Sequence, residues 1–127
     1  MIDTINFKAE EFNCNCCGDN QMVDSFVEKL QLIRSEFQKP IKINSGYRCP
    51  AHNERVSGTK SRTGPHTTGR AADLSCRGGD MYLLLRLALK YGMTGIGIKG
   101  SGSSRYLHID DLQAEDGDRY RPTVWTY

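Results

Sequence analysis

Six residues, RYLHID at 105 to 110, constrain the fold more than any other stretch of the chain. Side chains alternate across an extended strand, so Tyr106, His108 and Asp110 share one face while Leu107 and Ile109 take the other. Such a strand belongs in a sheet that is packed by apolar groups on one side only. TGIGIKG (94 to 100) reads as its hairpin partner, joined through a Gly/Ser turn. Two more strands are expected at IKIN (41 to 44) and ADLSC (72 to 76).

Helices supply the apolar cover. Residues 20 to 38 place Val23, Phe26, Val27, Leu30, Ile33 and Phe37 at intervals of three and four, the period of an amphipathic helix, which stops before Lys39-Pro40. MYLLLRLALKY is a second helix, with Asp80 offered as its N-cap and Gly92 ending it. A short helix runs over residues 50 to 57, opened by Pro50 and closed at Gly58. The aromatic end of the tail, EDGDRYRPTVWTY, is expected to bring Trp125 back onto the body. The sum is an α+β domain in which helices pack on one face of a small antiparallel sheet, with residues 1 to 127 forming one unit.

A net charge of +2, dispersed among acids, is no electrostatic footprint for nucleic acid. The longest apolar run, MYLLLRLALKYGM, is broken by Arg86 and Lys90 and is too short to cross a bilayer, so no membrane insertion is expected. MIDTINFKAEEF has no basic region followed by an apolar one, which leaves synthesis in a cytoplasm without a signal peptide as the expectation, and a monomer as the expected state. Five cysteines, an odd number, cannot all pair internally. Three lie in NCNCCG, where the Cys14 to Cys17 spacing resembles half of a zinc ribbon. No second C-x-x-C follows, so free or buried thiols are expected ahead of disulfides or a structural metal.

The chemistry concentrates elsewhere. SRTGPHTTGRAADLSC sets His66 and Asp73 at the ends of a segment of small and turn-forming residues, and Gly69 can supply the bend that returns His66 toward Asp73. Taken with His108 they offer two neutral imidazoles and one carboxylate, a donor set that suits catalytic zinc and leaves a position for water. Zinc held this way can polarise a carbonyl and lower its water's pKa toward about 7, as amide hydrolysis requires. Singly, each of these residues is more often a surface, capping or hydrogen-bonding group.

The runs INSGYRCPAHNERVSG, GPHTTGRAADL, YLHIDD and RPTVWTY together resemble the zinc D-alanyl-D-alanine carboxypeptidase family, whose fold is shared with the Hedgehog signalling domain. The likeness extends from EEFNCNCCG to the C-terminus and is closest to small phage and murein-endopeptidase members. It implies a Hedgehog/DD-peptidase-like fold, zinc bound by His66, Asp73 and His108, and hydrolysis of an amide bond in peptidoglycan stem peptides. It further implies a phage or prophage source, with the protein acting on the cell wall when released or carried by a particle. Arg48 matches an arginine that holds a substrate carbonyl or carboxylate, a task suited to a planar, permanently charged fork. His52, one helical turn beyond Arg48, and Tyr106, on the face of His108, are further candidate substrate contacts, with capping or core hydrogen bonding as the equal alternative for His52.

One position departs from the family pattern. Many members carry an acid three residues before the last zinc histidine, and here Arg105 stands there. Asp110 is the first candidate for general base, with orientation of His108 as its competing role. Asp111 and the acids of EDGD (115 to 118) are alternatives, and so is a chain that keeps zinc and binding without catalysis.

Overall fold

In the computed structural model, which describes residues 1–114 and 120–127, the strand bearing His108 is the middle one of five. In chain order the elements are a 3-10 turn (Ala9–Phe12), α1 (Asp24–Phe37), β1 (Lys42–Ser45), α2 (Pro50–Val56) and a second 3-10 turn (Pro65–Thr68). Then come β2 (Ala71–Ser75), α3 (Gly78–Lys90), β3 (Gly95–Lys99), β4 (Tyr106–Asp110) and β5 (Thr123–Thr126). The sheet order is β1-β2-β4-β3-β5.

The alternation expected of β4 sorts the two faces of the sheet. Leu107 and Ile109 join Ala72, Leu74 and Ile96 in the core, where Phe26, Val27, Leu30 and Ile33 of α1 and Leu84 and Ala88 of α3 cover them. On the opposite face Asp73 lies directly across from His108 in the antiparallel register of β2 and β4. Pro50 to Val56 and Pro65 to Thr68 border that second face, so α1 and α3 take the apolar side while α2 rims the polar one.

Three expectations are corrected. The sheet is mixed rather than antiparallel, because the tail forms β5, which runs parallel to β3 with Gly97 opposite Trp125. α1 starts at Asp24 because the Asn20 side chain accepts the Met22 amide at 2.9 Å and gives the backbone a turn in place of a helix. α3 starts at Gly78 behind Arg77, so Asp80 sits within its first turn, favourable to the helix dipole, and pairs with Lys39.

Gly69 makes the bend as expected, at φ +76°. A Cβ there would stand 1.9 Å from the Gln21 carbonyl oxygen, and the Gly69 carbonyl itself accepts the Val23 amide at 2.9 Å. Conformation and space therefore both demand glycine. Gly69→Ala should cost on the order of 2–4 kcal/mol in urea unfolding, whereas Gly58→Ala, with open space around its Cβ, should stay within about 0.5 kcal/mol. Equal behaviour of the two variants would contradict this account of the bend.

Candidate metal centre

His66, Asp73 and His108 come from a 3-10 turn and two neighbouring strands, and each offers a ligand atom within 4.8 Å of the others. All three are nearly inaccessible to solvent. One carboxylate oxygen, Asp73 Oδ1, lies 3.3 Å from His66 Nε2 and 3.0 Å from His108 Nδ1.

The far side of each ring fixes what faces Asp73. His66 Nδ1 lies 2.8 Å from the Gly46 carbonyl oxygen, which can only accept, so that nitrogen carries the hydrogen. His108 Nε2 lies 2.8 Å from Asp110 Oδ2, and the Asp110 carboxylate is in turn gripped by Arg121, Nε to Oδ1 and Nη2 to Oδ2 at 2.8 Å each. His108 Nε2 must therefore donate. In the neutral rings, His66 Nε2 and His108 Nδ1 are left as bare lone pairs aimed at an anionic oxygen. Three electron-rich atoms converging in a buried place call for a cation between them, and two imidazoles with a carboxylate are the donors zinc takes. The residues present thus fit the ion.

Without a metal, protons compete for the same atoms, since a protonated ring also neutralises Asp73. Burial alone would raise the Asp73 carboxyl, yet the two histidines hold it well below the usual carboxylate range. For His108, burial favours the neutral ring, but Asp110 and Asp73 outweigh it and raise its affinity for a proton. Burial likewise opposes ionisation of Asp110, and the hydrogen bonds from His108 and Arg121 overcome it, holding that carboxyl at about 2.

Small residues make room for this layer. Gly95 lies opposite Asp110 in the β3–β4 register, and a Cβ on it would come within 2.3 Å of both carboxylate oxygens. At Gly97 a Cβ would meet the Trp125 indole at 2.7 Å. Trp125 fills that gap, 5.0 Å from the His108 ring and 5.3 Å from the Arg121 guanidinium. GIGIK is thus glycine-rich on the face where the site needs depth.

A cleft of about 460 Å³ opens over the centre, with Arg48, Val56, Tyr106, Trp125 and Tyr127 among its walls. Arg48 is held by Ser45 Oγ at 3.1 Å and Asn53 Oδ1 at 3.3 Å, with Asp73 Oδ2 at 3.5 Å. Buried Asn53 is itself tied to the Ser61 carbonyl at 2.8 Å. The Tyr106 and Tyr127 rings lie 5.2 Å apart, and burial pushes both phenols above their ordinary range, so they are protonated at neutral pH.

Of the residues singled out in the sequence, His66, Asp73, His108, Arg48 and Tyr106 meet at this cleft. Asp110 lies behind His108, with no exposed surface. His52 is not among the cleft residues; its backbone amide donates to Cys49 Sγ, and its Nδ1 is buried without a partner among the described residues. Arg105 turns to the Gly102 carbonyl at 3.0 Å. Asp111 is buried between Arg70 and Lys29. Residues 115–118 lie outside those described. Asn53, Arg121 and Tyr127 had no assigned role in the sequence, although RPTVWTY carries two of them.

A buried pair of imidazoles and a carboxylate beneath an open cleft is a donor set that could hold a metal ion. A family model described as Peptidase M15 matches residues 5–110, and the chain belongs to that family, the zinc D-Ala-D-Ala carboxypeptidase-like peptidases its motifs resemble. No curated protein matches the chain. The matched segment includes His66, Asp73, His108 and Asp110 and ends before Arg121.

Asp110 and Arg121 form a buried pair, and removal of one member strands the other. Arg121→Ala should cost ~3–5 kcal/mol, and the double variant Asp110→Asn/Arg121→Gln much less than the sum of its parts. Because the folded Asp110 carboxyl sits at about 2, below its unfolded value of about 3.9, its contribution is complete at neutral pH and is lost as pH falls through 2. Urea unfolding from pH 6 to pH 2 should show a shallower acid loss in the double variant than in the native chain; parallel curves would mean that the pair carries no such linkage.

Proposed function

We propose that this chain is a zinc-dependent peptidase that hydrolyses an amide bond in bacterial peptidoglycan stem peptides. The observation that carries the reading is the convergence of His66 Nε2 and His108 Nδ1, at 3.3 and 3.0 Å, on one Asp73 oxygen at the floor of an arginine-bearing cleft. His66, Asp73 and His108 would hold the zinc, which would supply Lewis acidity for amide hydrolysis.

The chain's own groups do the rest. Arg48 offers its guanidinium to a carbonyl or terminal carboxylate, and Ser45 and Asn53 limit its rotamers so that little freedom is lost on binding. Tyr106 and Tyr127, both protonated, are hydrogen-bond donors to the peptide. Trp125 and Val56 provide apolar wall against its small side chains. Asp110 acts as a positioning residue in this reading, since both its oxygens are committed to Arg121 and His108; it keeps Nδ1 of His108 pointed at the metal position. A phage or prophage source, with delivery to the wall on lysis or in a particle, enters this reading through the resemblance of the motifs to phage members.

A second reading keeps zinc and binding but not hydrolysis. It is favoured by Arg105, by the committed oxygens of Asp110 and Asp111, and by the lack of any carboxylate besides the ligand Asp73 among the described residues at the cleft. Zinc-loaded protein incubated with purified peptidoglycan, with fragments identified by mass, separates the two. Peptidase action predicts shortened stems or opened cross-links with new amino termini, lost in His66→Ala and reduced on the order of 10²-fold in Arg48→Ala. Intact peptidoglycan that nonetheless retains the zinc-loaded protein would establish the binding module instead.

A further inference from the structure

A second group of metal-ligating side chains lies outside the cleft. The turn NCNCCG and the residue after Arg48 bring four sulfurs, those of Cys14, Cys16, Cys17 and Cys49, within 4.8 Å of one another. Cys14 and Cys16 sulfurs are 3.7 Å apart, those of Cys16 and Cys49 3.4 Å, and all four cysteines are free thiols. A tetrahedral zinc with Zn–S bonds of about 2.3 Å sets sulfurs about 3.8 Å apart. Cys49 thus brings a fourth sulfur that the sequence, with its single C-x-x-C, does not reveal.

The backbone around these thiols is arranged for the same purpose. Gly18 adopts φ +78° with open space about its Cβ, so conformation alone calls for glycine, and its amide donates to the Cys14 carbonyl at 2.8 Å. The Cys14 amide donates to Asp19 at 2.7 Å, which closes the turn with its thiols gathered. Two amides donate to sulfur, Cys49 to Cys14 Sγ and His52 to Cys49 Sγ, each at 3.4 Å, and Arg55 reaches the Cys16 thiol. Such donors suit thiolates, whose four charges around a divalent ion leave a net −2.

We infer that Cys14, Cys16, Cys17 and Cys49 bind a structural zinc ion. With every coordination position filled by protein the site has no place for water, so its work is mechanical. It fastens the N-terminal segment to the turn from Gly46 to Cys49, where the Tyr47 amide already donates to the Phe12 carbonyl at 2.9 Å. That turn presents Arg48 to the cleft and the Gly46 carbonyl to His66, while Cys49 caps α2 ahead of Asn53. The inference stands whether or not the cleft hydrolyses peptides.

The test begins with native protein, reduced and supplied with zinc, titrated with an organomercurial in the presence of a zinc-sensitive dye. About one zinc per chain should be released as four thiols react. His66→Ala/His108→Ala should still hold about one zinc and, loaded with cobalt, show thiolate-to-metal charge-transfer absorption. Cys16→Ser/Cys17→Ser should lose that absorption while keeping a zinc at the cleft. Thiols of the native protein that react with no zinc released, or a mass spectrum with disulfides among these four cysteines, would overturn the inference without bearing on the cleft.

Discussion

The arrangement of the cleft depends on which nitrogen of each histidine carries a hydrogen. Gly46 takes the hydrogen of His66 and Asp110 that of His108, so both rings turn a lone pair toward Asp73. Reversal of either ring would spoil the donor set with no change in composition. Arg121 is what allows Asp110 to serve while fully buried, because an uncompensated carboxylate in that position would take up a proton and lose its hold on His108. The ordering thus passes from a guanidinium, through a carboxylate and an imidazole, to the place where a cation would sit.

The sheet makes such a stack possible by keeping its two faces separate. One face is sealed by α1 and α3 and supplies the cohesion of the domain. The other gives up apolar packing to glycine, and the space that Gly95 and Gly97 free is refilled by the Asp110–Arg121 pair and by Trp125. Neither glycine can be filled without moving a functional side chain. Stability and chemistry are therefore apportioned between faces of the same strands, and β4 serves both.

Much of this was legible in the sequence where the signal is local. The 3.6-residue period of α1, the alternation of β4 and the bend at Gly69 each follow from a few neighbouring residues, and the resemblance that named His66, Asp73 and His108 rests on compact motifs. What the sequence hid was long-range. β5 is only four residues long and pairs in parallel, so nothing beside Trp125 announces that Gly97 is its partner. Arg121 lies eleven residues from Asp110, across a connection whose path no periodicity describes. Cys49 looks like a lone cysteine after Arg48 until the chain folds it against Cys14, thirty-five residues away. Asp80, by contrast, misled because an acid serves a helix N-terminus from within the first turn as well as from the cap.

The claim on which all of this turns is the ring orientation at the metal position. Anomalous diffraction at the zinc absorption edge, from crystals grown with zinc, tests it most directly. The account predicts a peak at about 2.0–2.1 Å from His66 Nε2 and from His108 Nδ1, with an Asp73 oxygen completing the protein ligands. A peak bonded through His66 Nδ1 or His108 Nε2, or no peak among the three residues while zinc occupies the crystal elsewhere, would contradict it.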